Sequence, residues 1–216
     1  ANGCTKTANA VLTSSGGLTV TGIVTNAKCN GTATGSLDIT PSGGSPGYTY
    51  AWSNGSTTQD QLNKLAAGTY TVIVTDSKGC TGQFSATITQ PTAIALTSTS
   101  TNITCNGAQN GTANVVASGG TPGYTYSWNT VPAKTTANVT GLKPGTWTCI
   151  VTDSKGCIKS INVTITQPAM INISISKTNV TTFGGSNGTA TANVSGGVSP
   201  YSYSWNSAPV QTTQTA

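Results

Sequence analysis

Cysteine is the residue type in this chain with the most chemistry to offer. The 216 residues include six cysteines but no histidine, glutamate or arginine, and no two cysteines have the Cys-x-x-Cys spacing. Zinc sites and dithiol redox motifs need those residue types or that spacing, so we expect neither. What remains is the pairing of thiols, and disulfides persist mainly in oxidising compartments. The cysteines therefore predict structural disulfides and an extracellular location.

Four of the cysteines recur at fixed steps, which limits how they can pair. Cys29 recurs as Cys105 and Cys80 as Cys157, at steps of 76 and 77 residues. Pairing Cys29 with Cys80 and Cys105 with Cys157 is the simpler scheme, and each bridge would stabilise by roughly 4 kcal/mol. With six strands per copy, the two cysteine-bearing turns fall at the same end of the copy. With seven they fall at opposite ends, and Cys29 would then meet Cys157. We expect the scheme within one copy.

The remaining cysteines have no partner in this scheme. Cys4 lies 76 residues before Cys80, and we expect its partner to lie before Ala1. Cys149 occupies the position of Val72, on the core-facing side of an alternating run, so we expect a buried, unreactive thiol. A further copy has Thr182 where the first two have a cysteine, so its bridge is expected to be absent or different.

The acidic residues are too few for catalysis. The chain has four aspartates, and catalysis needs a positioned acid, base or nucleophile. We therefore expect no enzyme, no catalytic residue, no cofactor and no metal. Asp76 and Asp153 do recur, but one carboxylate per loop supplies too few ligands for a calcium site. An aspartate before Ser-Lys-Gly is typical of a turn.

Aromatic side chains recur in threes and could in principle stack on sugar rings. Each set alternates along one short segment, which favours a core face over an exposed platform. The expected core aromatics are Tyr48, Tyr50, Trp52, Tyr124, Tyr126, Trp128, Tyr201, Tyr203 and Trp205.

These residues belong to a tandem repeat of about 76 residues. Residues 1–17 are expected to be the closing strand of a preceding copy, 18–91 and 92–168 complete copies, and 169–216 the front part of a further copy. We interpret the sequence as part of a longer array. Each complete copy ends in Gln-Pro with no Gly/Ser tether, which predicts a semi-rigid connection.

Within a copy the apolar residues alternate with period 2, between turns rich in glycine, proline and asparagine. The pattern predicts six or seven short strands and no helix, with residues 60–65 ambiguous. The expected fold is all-β, a series of immunoglobulin-like antiparallel β-sandwiches.

Composition excludes further classes of protein. Charged residues make up 6% of the chain, and the net charge of +5 comes from scattered lysines, so nucleic-acid binding is not expected. No apolar stretch approaches the length of a membrane span.

Several motifs together resemble the SprB-type repeat of large cell-surface proteins of Bacteroidota, which include a mobile gliding adhesin. They are Cys105-Asn106-Gly107, the glycine-rich run and aromatic triplet in 118–128, the Asp-Ser-Lys-Gly-Cys turn in 153–157 and Ile-Thr-Gln-Pro in 165–168. The resemblance implies export across the outer membrane of a Gram-negative bacterium and a place in a surface filament. Thr182, Gly47 and Gly123 depart from the family pattern.

Two functions are consistent with these observations. The first is a structural or adhesive extracellular filament or stalk that attaches to surfaces or projects an adhesive tip. The alternative is a spacer or carbohydrate-binding array attached to a secreted enzyme. The expected partners are neighbouring repeats, further copies assembled laterally or head to tail, and a surface polysaccharide or solid surface.

Overall fold

The computed structural model of the chain describes residues 17–216, apart from the side chains of residues 62 and 63. The expected closing strand in residues 1–17 therefore lies almost entirely outside the described residues. The first repeat contains β1 (Thr19–Thr25), β2 (Gly35–Ser42), β3 (Thr49–Trp52), β4 (Gln61–Leu65), β5 (Gly68–Thr75) and β6 (Thr81–Ile88). The second contains β7 (Ala95–Thr101), β8 (Gly111–Ser118), β9 (Thr125–Trp128), β10 (Asn138–Leu142), β11 (Gly145–Thr152) and β12 (Ile158–Ile165). β13 (Asn172–Thr178) and β14 (Thr189–Ser195) follow.

Each complete repeat forms two antiparallel three-stranded sheets. The strand orders are β1-β2-β4 and β3-β5-β6 in the first repeat, and β7-β8-β10 and β9-β11-β12 in the second. This is the strand order of an immunoglobulin domain without the strand that normally lies between the third and fourth strands here. The all-β, immunoglobulin-like prediction is confirmed, with six strands per repeat, and the ambiguous residues 60–65 include the strand β4.

Alternation along the strands builds the core between the two sheets. Val72 and Val74 on β5 are fully buried, whereas Ile73 between them is 47% exposed. Leu37 and Ile39 bring the same pattern from β2 in the facing sheet. The second repeat has its own core, to which the fully buried Cys149, Val151, Val115 and Trp128 belong.

The predicted core aromatics are placed as expected in the two complete repeats. Trp52 and Trp128 are buried, and each indole Nε1–H donates to a backbone carbonyl, at 2.8 and 2.9 Å. The four tyrosines of these triplets are half-buried and pack against the same cores: Tyr48, Tyr50, Tyr124 and Tyr126. A buried indole with its N–H satisfied carries no desolvation penalty.

A further aromatic residue closes the corner before β5. The hydroxyl of Tyr70 donates to the carbonyl oxygen of Ala66 at 3.1 Å. This corresponds to the tyrosine corner of immunoglobulin-like domains, in which a tyrosine bonds back to the backbone a few residues upstream. In the second repeat Trp147 takes this role, because its Nε1–H donates to the carbonyl of Lys143 at 3.0 Å.

The connection between β3 and β4 decides which turns share an end of the sandwich. β4 is antiparallel to β2 and β3 is antiparallel to β5, and β2 and β5 run in the same direction. β3 and β4 therefore run in the same direction as each other. Residues 53–60 therefore run back along the sandwich as an irregular crossover instead of a strand. The β1–β2 loop lies at the end where Gly68 faces Ile88, and the β5–β6 turn lies at the other end, where Thr75 faces Thr81.

The third repeat contains only part of this arrangement. β13 and β14 form a hairpin, and Thr191 makes an isolated bridge to Thr215. The segment with Tyr201, Tyr203 and Trp205 is not a strand, and these three side chains are only half-buried. Tyr203 and Trp205 correspond to residues of β3 and β9, which pair with β5 and β11. Residues 169–216 contain no counterpart of β5 and β11. The described residues contain no helix, and so none that could cross a membrane.

Candidate functional site: a disulfide between successive repeats

Cys29 and Cys157 form a disulfide, with their Cα atoms 5.6 Å apart and a sequence separation of 128. Cys29 follows the first strand of the first repeat, and Cys157 closes the last hairpin turn of the second. Residues 155–157 belong to the same compact unit as the first repeat. The Sγ atom of Cys157 lies 3.4 Å from the carbonyl oxygen of Lys28. The prediction of bridges within one repeat is therefore wrong.

The crossover in residues 53–60 explains this outcome. It places the β1–β2 loop and the β5–β6 turn at opposite ends of the sandwich, although the repeat has only six strands. β5 and β6 each contain eight residues, so the two ends are about 26 Å apart at roughly 3.3 Å per residue. A disulfide needs Cα atoms within about 7 Å. Cys29 cannot reach Cys80 in the folded repeat.

Hydrogen bonds between the start and the end of the repeat position Cys29. The side-chain amide of Asn30 donates to the carbonyl of Pro91 at 3.0 Å. The backbone N–H of Gly31, which has φ of 71°, donates to the side-chain carbonyl of Gln90 at 2.7 Å. The loop that carries Cys29 is thereby fixed to the Gln-Pro end of its own repeat.

The second repeat has the same clasp around Cys105. Asn106 donates to the carbonyl of Pro168 at 3.0 Å, and the N–H of Gly107 donates to the side chain of Gln167 at 3.0 Å. We call the pair of motifs, Cys-Asn-Gly and Gln-Pro, the clasp. Sequence reasoning missed it, although the signal was present in two motifs that recur together about 60 residues apart.

The residues after the Gln-Pro motif are also held, by the double-glycine loop that follows. Gly120 N–H donates to the carbonyl of Thr92 at 2.9 Å, and Gly197 N–H donates to that of Ala169 at 2.9 Å. Gly119 approaches the Ala93 carbonyl oxygen so closely that a Cβ atom would overlap it. The backbone immediately after each complete repeat is therefore bonded to a specific loop.

The turn that precedes each second cysteine is organised by an aspartate. Asp76 is 5% exposed, and its carboxylate accepts backbone N–H groups of Ser45, Lys78 and Cys80 at 2.8, 2.9 and 2.8 Å. These hydrogen bonds, led by that from Ser45, lower the pKa of Asp76 below its usual value, against the effect of burial. Asp153 is buried to a similar degree. The carboxylate of Asp76 is engaged by the backbone, which supports the turn-forming role.

The remaining cysteines of the described residues carry free thiols. Cys80 and Cys105, which we call the two exposed thiols, are open to solvent, and Cys149 is buried. Burial raises the pKa of the Cys149 thiol, against a smaller opposing effect of the backbone at Ser127. The expectation of a buried free thiol at Cys149 is confirmed. Cys4 lies outside the described residues.

Metal-binding geometry is not found among the described residues. Within residues 17–216, no three His, Cys, Asp or Glu side chains come together as metal ligands would. The outward faces of the sheets carry hydroxyl groups that bond across strands, with Thr69 and Thr87 at 2.9 Å and Thr71 and Ser85 at 3.0 Å. What the arrangement offers chemically is covalent cross-linking and a sparsely charged, hydroxyl-bearing surface.

The strand order and the disulfide define the class of protein as a tandem array of immunoglobulin-like β-sandwich repeats with a covalent link between two of them. The sequence model of the SprB repeat matches residues 21–57, 97–133 and 174–210, together just over half of the chain. The chain therefore belongs to the SprB repeat family. This membership supports a surface protein of the adhesin-like repeat kind. A comparison with curated proteins finds no matching sequence.

A search of solved structures finds matches of low sequence identity. One, from a study of the structural basis of Dscam isoform specificity, is 16% identical with a TM-score of 0.32, and the match covers 71% of this chain and 46% of that one. An amphioxus IgVJ-C2 molecule is 13% identical, with a TM-score of 0.28 and coverage of 71% and 98%. A tetra-tandem repeat from the extending region of a large adhesion protein is 14% identical, with a TM-score of 0.25 and coverage of 94% and 65%. The fold assignment rests on strand order and pairing instead.

Proposed function

We propose that this chain is a stalk segment of an extracellular filament on a Gram-negative bacterial surface, and that its task is to transmit force between the cell and whatever the filament meets. The observation that carries this proposal is the Cys29–Cys157 disulfide, because it joins successive repeats covalently. A disulfide that served only to stabilise a small domain would close a loop inside that domain.

The path of force through the chain follows from this connectivity. Tension that enters along β1 reaches Cys29, crosses the disulfide to Cys157 and leaves along β12. The residues between the two cysteines are bypassed and cannot be drawn out while the bond is intact. In a filament built in this way, most of each disulfide-linked pair of repeats stays folded under tension that would otherwise unfold the pair.

The connections between repeats support the same proposal. The clasp fixes the Gln-Pro motif to the loop of Cys29 or Cys105, and the residues after it bond to the double-glycine loop. Every step along the junction is therefore hydrogen-bonded or covalent, and none has the composition of a flexible tether. This is the construction expected of a stalk more than of a loose spacer.

Contact with other surfaces is proposed to be weak and repeated. Trp52 and Trp128 are buried and therefore cannot stack on sugar rings. The exposed hydroxyls of β5 and β6 remain, and many copies of a weak contact give useful avidity. Retention of the chain on immobilised polysaccharide that grows steeply with repeat number would support this contact, whereas retention independent of repeat number would contradict it.

Immunogold electron microscopy on unfixed cells of the source organism tests the filament role. Antibody raised against the recombinant chain should label thin fibres that leave the cell surface, at regular intervals. Label confined to soluble secreted material would contradict the stalk and favour a spacer attached to a secreted enzyme. Pre-immune serum, and cells that lack the protein, provide the controls.

A further inference from the structure

We infer that the two exposed thiols are half-sites of further disulfides of the same kind, so that the first cysteine of one repeat bonds to the hairpin cysteine of the next repeat. Cys105 would then bond to a cysteine in the Cys157 position of a complete third repeat, and Cys80 to a cysteine in the Cys29 position of a preceding repeat. The inference concerns cross-linking chemistry and holds whatever surface the array meets.

The surroundings of Cys105 match those of the bonded Cys29. Both cysteines begin a turn that closes on their own carbonyl oxygen, with Thr32 N–H donating to Cys29 at 3.3 Å and Ala108 N–H donating to Cys105 at 3.1 Å. Both turns are held by the clasp, with closely similar hydrogen-bond lengths. A disulfide requires a positioned sulfur, and the structure positions Cys105 in the same way as Cys29.

A cavity beside Cys105 provides the second observation. It has a volume of about 470 Å³, and Cys105 lines it together with Asn106, Met170, Gly197 and Val198. The counterparts of Gly197 and Val198 in the second repeat lie within 119–121, which share a compact unit with Cys29 and with the Cys157 hairpin. The loop set that accompanies the existing disulfide is thus repeated around Cys105.

The hairpin half-site is repeated as well. In the first repeat the turn that carries Cys80 is closed by Asp76, whose N–H donates to the carbonyl of Cys80 at 2.9 Å and whose carboxylate accepts the Cys80 N–H. Cys80 is therefore held as the last residue of a fixed turn, in the sequence context Asp-Ser-Lys-Gly-Cys that also carries Cys157.

The third repeat departs from the pattern at both elements of the half-site. Thr182 and Phe183 replace the cysteine and the asparagine of Cys-Asn-Gly, so the sulfur and the clasp amide are lost together. Phe183 is fully exposed. This paired loss is expected if the asparagine serves to position the cysteine. It predicts an array in which disulfide-linked junctions occur together with at least one junction that has no disulfide.

Bond formation needs an oxidant, for which a small disulfide such as oxidised glutathione suffices. The thiolate of Cys105 attacks this disulfide, forms a mixed disulfide and releases one glutathione thiolate. The thiolate of the hairpin cysteine then attacks the Cys105 sulfur and displaces the second glutathione. Two protein thiols become one disulfide, and one oxidised glutathione becomes two reduced molecules.

The test extends the full chain after Ala216 with a copy of its own residues 140–168, which aligns with the end of the third repeat and supplies the hairpin cysteine. After incubation with oxidised glutathione, peptide mapping under non-reducing conditions should find Cys105 bonded to a peptide that contains Cys157. Loss of this bond when the appended Cys157 is replaced identifies the appended copy as the partner. Two alkylatable thiols should be lost, with a mass decrease of roughly 2 Da for the two hydrogens removed. Free or glutathione-capped Cys105, or a bond from Cys105 to Cys80, would overturn the inference.

Two controls make a negative result decisive. The extended chain with the appended Cys157→Ser should fold equally well by circular dichroism and should leave Cys105 unbonded. If the extension does not fold, residues 1–168 followed directly by a second copy of 92–168 present the same pair within natural junction sequences. A folded second variant whose Cys105 stays unbonded would equally overturn the inference.

Discussion

The covalent link between repeats predicts how far the chain extends under force. When the chain is pulled by its ends with the Cys29–Cys157 bond intact, the 128-residue separation between the cysteines cannot contribute to the extension. An extended backbone spans about 3.3–3.6 Å per residue, so reduction of the bond should release about 420–460 Å of hidden contour length. Single-molecule force spectroscopy with and without a thiol reductant measures this length directly.

The same measurement separates the pairing schemes. Bonds within repeats, Cys29 with Cys80 and Cys105 with Cys157, would enclose sequence separations of 51 and 52 residues and would release about 170–190 Å each, in two steps. A C157S chain should reach the full length without reductant and serves as the control. Two short steps, or a final length that does not depend on reductant in the unmodified chain, would refute the link between repeats.

Three further predictions concern individual residues. The D76N variant should have a lower melting temperature than the D38N control, because an amide at position 76 cannot accept all the N–H groups that the carboxylate of Asp76 accepts. The side chain of Asp38 is exposed, and we expect it to contribute less than about 0.5 kcal/mol to stability. Folding lowers the pKa of Asp76 from 3.8, so its contribution to the free energy of unfolding is complete above pH 3.8 and is lost as the pH falls through the lower folded pKa. Thermal melts in acid should show this loss of stability in the unmodified chain and less of it in D76N. G119A should destabilise more than G107A, because both positions have positive φ but only at Gly119 would a Cβ atom overlap the linker carbonyl; equal melting temperatures would contradict the close approach. Alkylation followed by mass spectrometry should modify the two exposed thiols rapidly and Cys149 only in denaturant, and fast labelling of the native chain at Cys149 would contradict its burial.

Local patterns in the sequence predicted the elements of the fold well. Alternation of apolar residues identifies strands such as β5, because one face of each strand must be buried and the other exposed. The position of Cys149 in such a run sufficed to predict a buried thiol. The aromatic triplets were predicted correctly for the same reason in the two complete repeats.

The pairing of cysteines could not be predicted in this way. It depends on whether the segment between β3 and β4 crosses the sandwich as a strand or as an irregular connection, and residues 53–60 give no periodic signal for either. The clasp was missed for a related reason. Asn30 and Gln90 are polar residues in turns, where asparagine is common for purely local reasons, and only the folded structure shows that they bond across the repeat.

The position of the disulfide fits the small size of the repeats. Eight of the described side chains form the buried core of the first repeat, so each sandwich is expected to be only modestly stable. A bond within one repeat would raise the stability of that repeat but leave the connection to the next dependent on a few hydrogen bonds. A bond from the first cysteine to the next repeat's hairpin constrains residues of both, and it removes chain entropy worth about 5 kcal/mol from the unfolded state of the enclosed span in the loop-closure model. Thr182 then marks the junction at which an array of such repeats would yield first.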